Sequence, residues 1–401
     1  MLSAASRPVV EATLPVVAEH VEEVARRFYA SLFGAHPELL DGTFNRGNQA
    51  AGTQPVALAG SVAAFAACLV RDPDLVPERL LARIAAKHAS LGVRPDQYAV
   101  VHEHLFGALA DVLGDAVTAE VAAAWDEVYW LMAHALIRIE RGLYAGQGVT
   151  PATVWRPWRV VARETPTADV VALRVEPVDP GPVPAARPGQ YVSVRVTLPD
   201  GVRQPRQYSL TTADDGRTRS FAVKRVHGGE EPDGEVSAFL HDKVEVGDVL
   251  ELSAPFGEAV LDGDRPLVLV SAGIGITPTA GILSSLAAAR STRPVTVLHA
   301  DRDAASTALR EQVLADVAAL PAATARFWFS GTSAPLPGAA VSAGRMDLAG
   351  VDLPDGAVVH LCGPLPFMRA VRDELIGRGV PARDVHHEVF GPDSWQVDAA
   401  L

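Results

Sequence analysis

Arg206, Tyr208 and Ser209, in the run Arg206-Gln207-Tyr208-Ser209-Leu210, put three chemistries into one short stretch. A guanidinium forks onto phosphate oxygens, a phenol ring stacks on a flat ligand, and a hydroxyl donates to a ring nitrogen. Together they suit a planar ring that carries a phosphate, although the same residues also describe a barrel strand with a surface Arg and a core Tyr. A second candidate is Ser271-Ala272-Gly273-Ile274-Gly275-Ile276-Thr277-Pro278, which follows an apolar run and precedes a helical pattern. Glycines there let backbone approach phosphates, and a helix N-terminus offers free N–H groups. The third glycine of the standard dinucleotide fingerprint is absent. Cys362-Gly363-Pro364 ends another apolar run, and ligands of open α/β sheets bind at such strand ends. Cys362 has no local base, so a thiol at the core edge is expected there rather than a nucleophile.

Three compositional regions must position these residues. Up to about Leu143 the pattern is helical, with an apolar stripe through Val16, Val17, Val21, Val24, Phe28, Leu32 and Phe33. Val56 to Val70, Glu78 to His88, Asp96 to Leu113 and Val117 to Tyr144 repeat that spacing, which gives an all-α domain of six to eight helices. The segment 146–157 is punctuated by Gly and Pro and reads as a linker. From 158 to 262 short β-type runs alternate with Pro/Gly/Asp turns, the spacing of a small antiparallel β-barrel. Within it Gly234-Glu235-Val236-Ser237 opens a short helix. From 263 to 401 strands near 267, 295, 326, 358 and 385 alternate with helices, which predicts an α/β domain with a parallel sheet. The first domain is bounded at 1–145.

Composition narrows the class. The 401 residues, 48% hydrophobic and 21% charged, are ordinary for a multidomain globular protein. A balance of 35 basic against 48 acidic residues argues against a nucleic-acid surface. Two cysteines, Cys68 and Cys362, support neither a disulfide framework nor an iron–sulfur cluster. No stretch approaches the ~20 apolar residues of a membrane helix, so no stable membrane insertion is expected. A cytoplasmic monomer is the expectation.

In order along the chain, Arg206-Gln207-Tyr208-Ser209, Gly273-Ile274-Gly275-Ile276-Thr277-Pro278 and Cys362-Gly363-Pro364 resemble the ferredoxin–NADP reductase-type module. The resemblance implies flavin binding by the first motif and NAD(P)H binding by the other two. It assigns Arg206 to the flavin pyrophosphate, Tyr208 to stacking on the ring system and Ser209 to its N5. Gln190 and Tyr191, in Pro188-Gly189-Gln190-Tyr191, match a further flavin segment. Gly234, Glu235, Val236 and Ser237 match the segment that faces the pyrophosphate.

Such a reductase joined to an all-α domain needs an electron acceptor, and without a cysteine cluster haem leads, with His as its usual ligand. Of twelve histidines, His88 lies one helical turn from Ile84 and two from Leu80, on the apolar face of its helix. A lone His there is more often a packed residue than a ligand. His102 and His104, two apart, fall on different faces and chelate poorly together.

Phe28-Tyr29, Phe44-Asn45, Asn48-Gln49, Gln54 with Leu58, Lys87-His88 and the end Glu388-Val389-Phe390-Gly391-Pro392 resemble bacterial flavohaemoglobins over the whole chain. That resemblance implies a globin domain, an FAD barrel and an NAD(P)H domain. It makes His88 the proximal iron ligand of haem b, Tyr29 and Gln54 distal groups, Phe44 a ring on the haem and Leu58 part of the distal pocket. Glu140 is then the acceptor of the proximal imidazole N–H, with Tyr98 beside it. Phe390 covers the flavin where nicotinamide approaches, next to Gly391 and Pro392. His387 and Val389 stand where tyrosine and cysteine are common in relatives.

The implied activity is nitric oxide dioxygenation, with nitric oxide and dioxygen as substrates and NADH or NADPH as electron source. An oxygen-binding or redox-sensing haemoglobin with its own reductase is the alternative from another class. A general flavin or ferric reductase is the second. After Val295–His299, Asp301 offers an acceptor for a ribose hydroxyl while Arg302 offers a partner for a 2′-phosphate. These cues point to opposite coenzymes.

Overall fold

The computed structural model describes residues 1–42, 44, 53–72, 78–228, 233–257 and 263–391, with backbone alone at 53–59 and 78–80. They form two compact units, Met1–Trp155 with Arg195–Arg206, and Arg156–Val194 with Gln207–Phe390.

Among the described residues the first unit has six α-helices: α1 Ser6–Glu19, α2 Val21–Ala35, α3 Thr53–Arg71, α4 Glu78–Leu91, α5 Gln97–Leu113 and α6 Ala119–Gln147. The apolar stripe from Val16 to Phe33 therefore falls on two helices. The break is at His20, whose backbone leaves the helical region and whose Nδ1 lies 2.9 Å from the Val16 carbonyl. Glu22 and Glu23 then occupy the first turn of α2, where the helix dipole favours acidic groups. Thr118 caps α6 by accepting from the Val121 N–H, and Gly148, in a left-handed conformation, ends it. Phe28, Leu32, Phe65, Leu69, Leu81 and Val128 are fully buried in the common core.

The same unit takes in a piece of later chain. The Arg203 guanidinium holds Asp41 through Nη2 at 2.7 Å, and the Gly42 N–H donates to the Arg203 carbonyl at 2.8 Å. Gln204, fully buried, donates from Nε2 to the carbonyls of Leu40 and Phe44 at 3.1 and 3.3 Å.

Strands β1 Trp155–Thr167, β2 Val170–Pro177, β3 Tyr191–Thr197, β4 Arg203–Ser209, β5 Arg219–Lys224 and β6 Val249–Ser253 form one sheet in the order β4-β3-β6-β1-β2-β5. The pairs β1–β2 and β2–β5 are antiparallel. A bridge between Leu210 and Phe221 joins the chain just past β4 to β5, so the two edges meet and the sheet closes as a barrel. The short helix α7 Glu235–Asp242 precedes β6.

The second sheet is parallel: β7 Leu267–Ala272, β8 Val295–Asp301, β9 Ala323–Phe329, β10 Ala340–Ala343, β11 Val358–Cys362 and β12 Val385–Glu388, in the order β10-β9-β8-β7-β11-β12. Strand order reverses between β7 and β11, the crevice where open α/β sheets bind ligands. Helices α8 Ile276–Ala288, α9 Arg310–Ala319 and α10 Leu365–Gly377 cross over between strands. Helix α8 is seated on the barrel: Ser284 Oγ accepts from the Ala213 N–H at 3.0 Å. A Cβ at Gly281 would lie 2.1 Å from the Leu210 carbonyl oxygen, so only glycine permits this approach. Among the described residues, no helix is long and apolar enough to cross a membrane.

Candidate functional site

In the helical unit, three residues separated along the chain meet behind one imidazole. His88 Nδ1, on α4, lies 2.8 Å from Glu140 Oε1 on α6 and 3.0 Å from the Tyr98 hydroxyl on α5. The Tyr98 O–H donates to the same Glu140 oxygen at 2.5 Å. Glu140 is 2% exposed, and a carboxylate so buried needs donors of this kind. An ionised carboxylate only accepts, so the proton between Glu140 and His88 sits on Nδ1. Nε2 then keeps its lone pair, the tautomer that a metal-binding histidine requires. Burial first, and then the Glu140 charge, push the Tyr98 phenol far above its ordinary value, which keeps it a donor. Tyr129, Glu140 and Tyr144 share a face of α6, and the outer two hold the neighbouring chain. The Tyr129 O–H donates to the Tyr98 carbonyl at 2.7 Å and that of Tyr144 to the Val93 carbonyl at 3.0 Å.

Tyr29 is buried on α2 within an aromatic group: Phe28, Phe33 and Phe44 have ring centroids 4.6, 5.4 and 6.0 Å from it. Gln54 and Leu58 lie on α3, but their side chains are outside the described residues, as is Pro392 altogether. His102 and His104 have other partners, Asp126 at 2.7 Å and Ser31 at 2.7 Å, in keeping with their placement on different faces.

On β4, Arg206 Nη1 donates to the Pro205 carbonyl at 2.7 Å. Gln207 Nε2 donates to Ser193 Oγ at 2.9 Å, and the Tyr208 ring stacks on Phe221 with centroids 5.5 Å apart. Ser209, buried, donates to Glu388 Oε1 at 3.1 Å, which brings the end of β4 to the end of β12. Gln190 is buried, accepts the Arg187 N–H at 2.8 Å through Oε1, and accepts the Leu210 N–H at 2.9 Å through its carbonyl. Tyr191 begins β3 and pairs its backbone with Phe256. Gly234 precedes Glu235 at the start of α7, and a Cβ there would meet Val226 Cβ and Ser237 Oγ at 2.8 Å. The Ser237 hydroxyl ties this turn to β5's exit, donating to the Gly234 carbonyl at 2.8 Å and accepting the Val226 N–H at 3.0 Å. Val236 is buried beneath it.

At the reversal of strand order, Gly273 has φ +54° and open space where a Cβ would stand. Gly275 is the opposite: a Cβ would lie 2.3 Å from the Cys362 carbonyl oxygen. The two glycine-bearing strand ends, 273–275 and 362–364, are therefore packed backbone to backbone. Ile276, Thr277 and Pro278 form the buried first turn of α8, with Thr277 Oγ1 donating to the Ile274 carbonyl at 3.0 Å. Cys362 is fully buried, and burial, reinforced by Glu388, drives its thiol well above the usual range, which removes it as a nucleophile. Pro364 leads into α10. Phe390 is 48% exposed and Gly391 is exposed beside it.

Sequence reasoning missed the Ser209–Glu388 bond, which spans 179 positions and has no local signature. It also passed over His299, which is fully buried on β8 with Nδ1 2.8 Å from Ser271 Oγ on β7. A histidine inside an otherwise apolar strand was the available signal.

Comparison with known proteins agrees with this layout. The Globin family matches residues 26–136 and the Oxidoreductase NAD-binding domain family residues 269–373. Flavohemoproteins of Rhizobium meliloti and Bordetella pertussis are 40% and 41% identical to the chain, each alignment covering 98% of it and 99% of the relative. The crystal structure of flavohemoglobin from Malassezia yamatoensis, with bound FAD and heme, superposes with a TM-score of 0.90 at 40% identity, over 97% of this chain and 100% of that one. The FAD/NAD-binding domain of nitric oxide dioxygenase from Vibrio cholerae matches 59% of the chain and 99% of its own length, at 35% identity and a TM-score of 0.55. With relatives this similar aligned from end to end, and with helical unit, barrel and parallel sheet in the same order, the chain belongs to the flavohemoprotein family.

Proposed function

We propose that the protein is an NAD(P)H-dependent nitric oxide dioxygenase, with haem b held by His88 in a globin domain (1–145), a linker (146–157), FAD on the barrel (158–262) and the coenzyme on the α/β domain (263–401). The observation that carries this is the buried Glu140 carboxylate 2.8 Å behind His88 Nδ1. A carboxylate there makes the imidazole a stronger donor, which favours reaction of dioxygen over its reversible carriage. When bound, the coenzyme and flavin supply hydride and single-electron transfer, and the haem iron supplies dioxygen activation.

The chain's own groups bind, orient and hold protons. Glu140 and Tyr98 fix the ring of His88 and its tautomer. The buried phenol of Tyr29 provides a donor for the partial negative charge on a polar diatomic ligand. Arg206 and Tyr208, at alternate positions on β4, offer a phosphate partner and a ring face, and Gln190 braces the turn beside them. Ser209 keeps its hydroxyl proton directed at Glu388. The open backbone at Gly273 and the first turn of α8 suit a pyrophosphate. Phe390, exposed at the end of β12, is placed to cover the flavin until nicotinamide displaces it. A cytoplasmic, monomeric protein completes the proposal on composition alone.

The test is aerobic NAD(P)H oxidation with and without nitric oxide, with nitrate measured as product. Acceleration by nitric oxide and stoichiometric nitrate are expected. Unchanged turnover without nitrate leaves a plain flavin reductase. His88→Ala should lose the haem absorption band and keep the flavin band; retained haem would remove His88 as the ligand.

A further inference from the structure

We infer that Trp155 is a positioning residue for the proximal histidine: it holds the turn that follows His88 and thereby keeps the imidazole within reach of Glu140. This rests on the assignment of His88 as the haem ligand. Trp155 begins β1 and closes the first stretch of the helical unit. Its reach to the site runs through backbone, not through the side chains that meet at Glu140.

Helix α4 stops at Leu91, within one turn of His88, and Gly92 follows with φ +79°. The Gly92 N–H donates to the Ala89 carbonyl at 3.2 Å, and the Val93 N–H donates to the carbonyl of His88 itself at 3.1 Å. This is the Schellman ending of a helix, and here its long bond closes on the ligand residue. Leu91, Gly92 and Val93 are each gripped in turn. The Leu91 carbonyl accepts the Trp155 Nε1–H at 3.4 Å. A Cβ at Gly92 would lie 2.9 Å from the Pro151 carbonyl oxygen, 3.2 Å from Val154 Cγ1 and 3.7 Å from Trp155 Nε1. The Val93 carbonyl accepts the Tyr144 O–H at 3.0 Å, and Tyr144 stands one turn beyond Glu140 on α6. The gripping chain is stiff. Thr150 and Thr153 close a turn in which the Thr153 N–H donates to the Thr150 carbonyl at 3.0 Å and the Thr150 N–H to Thr153 Oγ1 at 2.9 Å. The guanidinium of Arg195, on β3 but in the same unit, lies 4.2 Å over the Trp155 ring and seats it from the far side. At 3.4 Å the indole bond is weak, so the bulk of the ring, rather than its N–H, holds the turn. Without the ring the turn can relax, and the 2.8 Å contact of His88 Nδ1 with Glu140 lengthens. The imidazole then carries less negative character and stabilises ferric iron less.

The test is resonance Raman spectroscopy of the full-length, haem-loaded protein, read at the iron–histidine stretch of the reduced form. Trp155→Leu should lower that frequency and raise the ratio of reduced to oxidised haem at a fixed potential by about fivefold, the size that one weakened hydrogen bond supports. Trp155→Phe, which keeps a ring against the turn and beneath Arg195, should hold the frequency of the wild type. In a Glu140→Gln background Trp155→Leu should shift nothing further, because the contact through which it acts is already gone. Gly92→Ala, which drives a Cβ onto the Pro151 carbonyl, should move the frequency in the same direction, and it carries the test if Trp155→Leu loads no haem. A frequency unmoved in the haem-loaded variants, or a shift of full size in the Glu140→Gln background, would overturn the positioning role and leave His88 as the ligand. Haem retained by His88→Ala would instead remove the ligand assignment, and this inference with it.

Discussion

Replacing Tyr98 with Phe removes one hydroxyl and almost no volume, so its cost isolates the 2.5 Å bond to Glu140. Among the described residues, Glu140 would keep only the His88 Nδ1–H as donor, at 2.8 Å. A hydrogen bond to a buried charged acceptor contributes about 1.5–3 kcal/mol, against ~0.5–1.5 kcal/mol for a neutral pair. Tyr98→Phe should therefore cost about 2 kcal/mol in the wild-type background and roughly 1 kcal/mol when Glu140 is already Gln. The coupling expected from the double-mutant cycle is about 1 kcal/mol. Urea titration of the full-length, haem-loaded protein, followed at the haem absorption band, reads the helical unit without assuming that the whole chain unfolds in one step. The iron–histidine stretching frequency of the reduced protein gives a second signal, expected to fall in Glu140→Gln as the imidazole loses its charged partner. If Tyr98→Phe costs the same in both backgrounds to within ~0.3 kcal/mol, the phenol is not bonded to a charged Glu140 and the reasoning fails.

Gly281→Ala would force a Cβ to 2.1 Å from the Leu210 carbonyl oxygen, with backbone on both sides. A loss of more than about 2 kcal/mol is expected, seen as a lower thermal midpoint for release of flavin fluorescence; an unchanged midpoint would mean that α8 does not sit on the barrel in this way. Alkaline titration offers another measurement. Burial raises the phenols of Tyr98, Tyr129 and Tyr144 above the ordinary value of 10.0. Groups whose folded values are raised contribute stability that is full below the unfolded value and declines as pH climbs above it, so stability should start to fall above about pH 10. Absorbance at the tyrosinate band should show these three of the six tyrosines ionising only with unfolding. Six tyrosines titrating together near pH 10 would contradict their burial.

Legibility in the sequence followed the range of the interactions. Helices α3 to α6 and strands β7 to β9 and β11 carry long apolar periods, and each was placed close to its observed span; β12, Val-His-His-Glu, has no such period. Strand β10, Ala340–Ala343, escaped because two of its four residues are alanine and only pairing with β9 makes it extended. The apolar stripe was read only from Val16 onward, whereas α1 already begins at Ser6 and carries Pro15 inside it. His88, Tyr98 and Glu140 were named through the family resemblance; intervals of 10 and 42 residues hold nothing that brings them within 3 Å. The coenzyme question stayed open for the same reason. Asp301 and Arg302 are adjacent letters, and only tertiary packing leaves the first side chain 11% exposed and the second 73%.

The grip of Asp41, Leu40 and Phe44 on Arg203 and Gln204 also bears on how the chain is made. The helices leave the ribosome first, but the strand that closes the unit is translated only after β1 to β3 have emerged. The 162 positions between Asp41 and Arg203, at roughly 5–20 residues per second, leave the connection after α2 without its partners for about 8–32 s. A fragment cut in the linker would carry the same vacancy permanently. The helical part alone should then be more protease-sensitive around Leu40–Gly42 than the same residues in the whole protein, so that completion of the N-terminal half waits on the start of the C-terminal one.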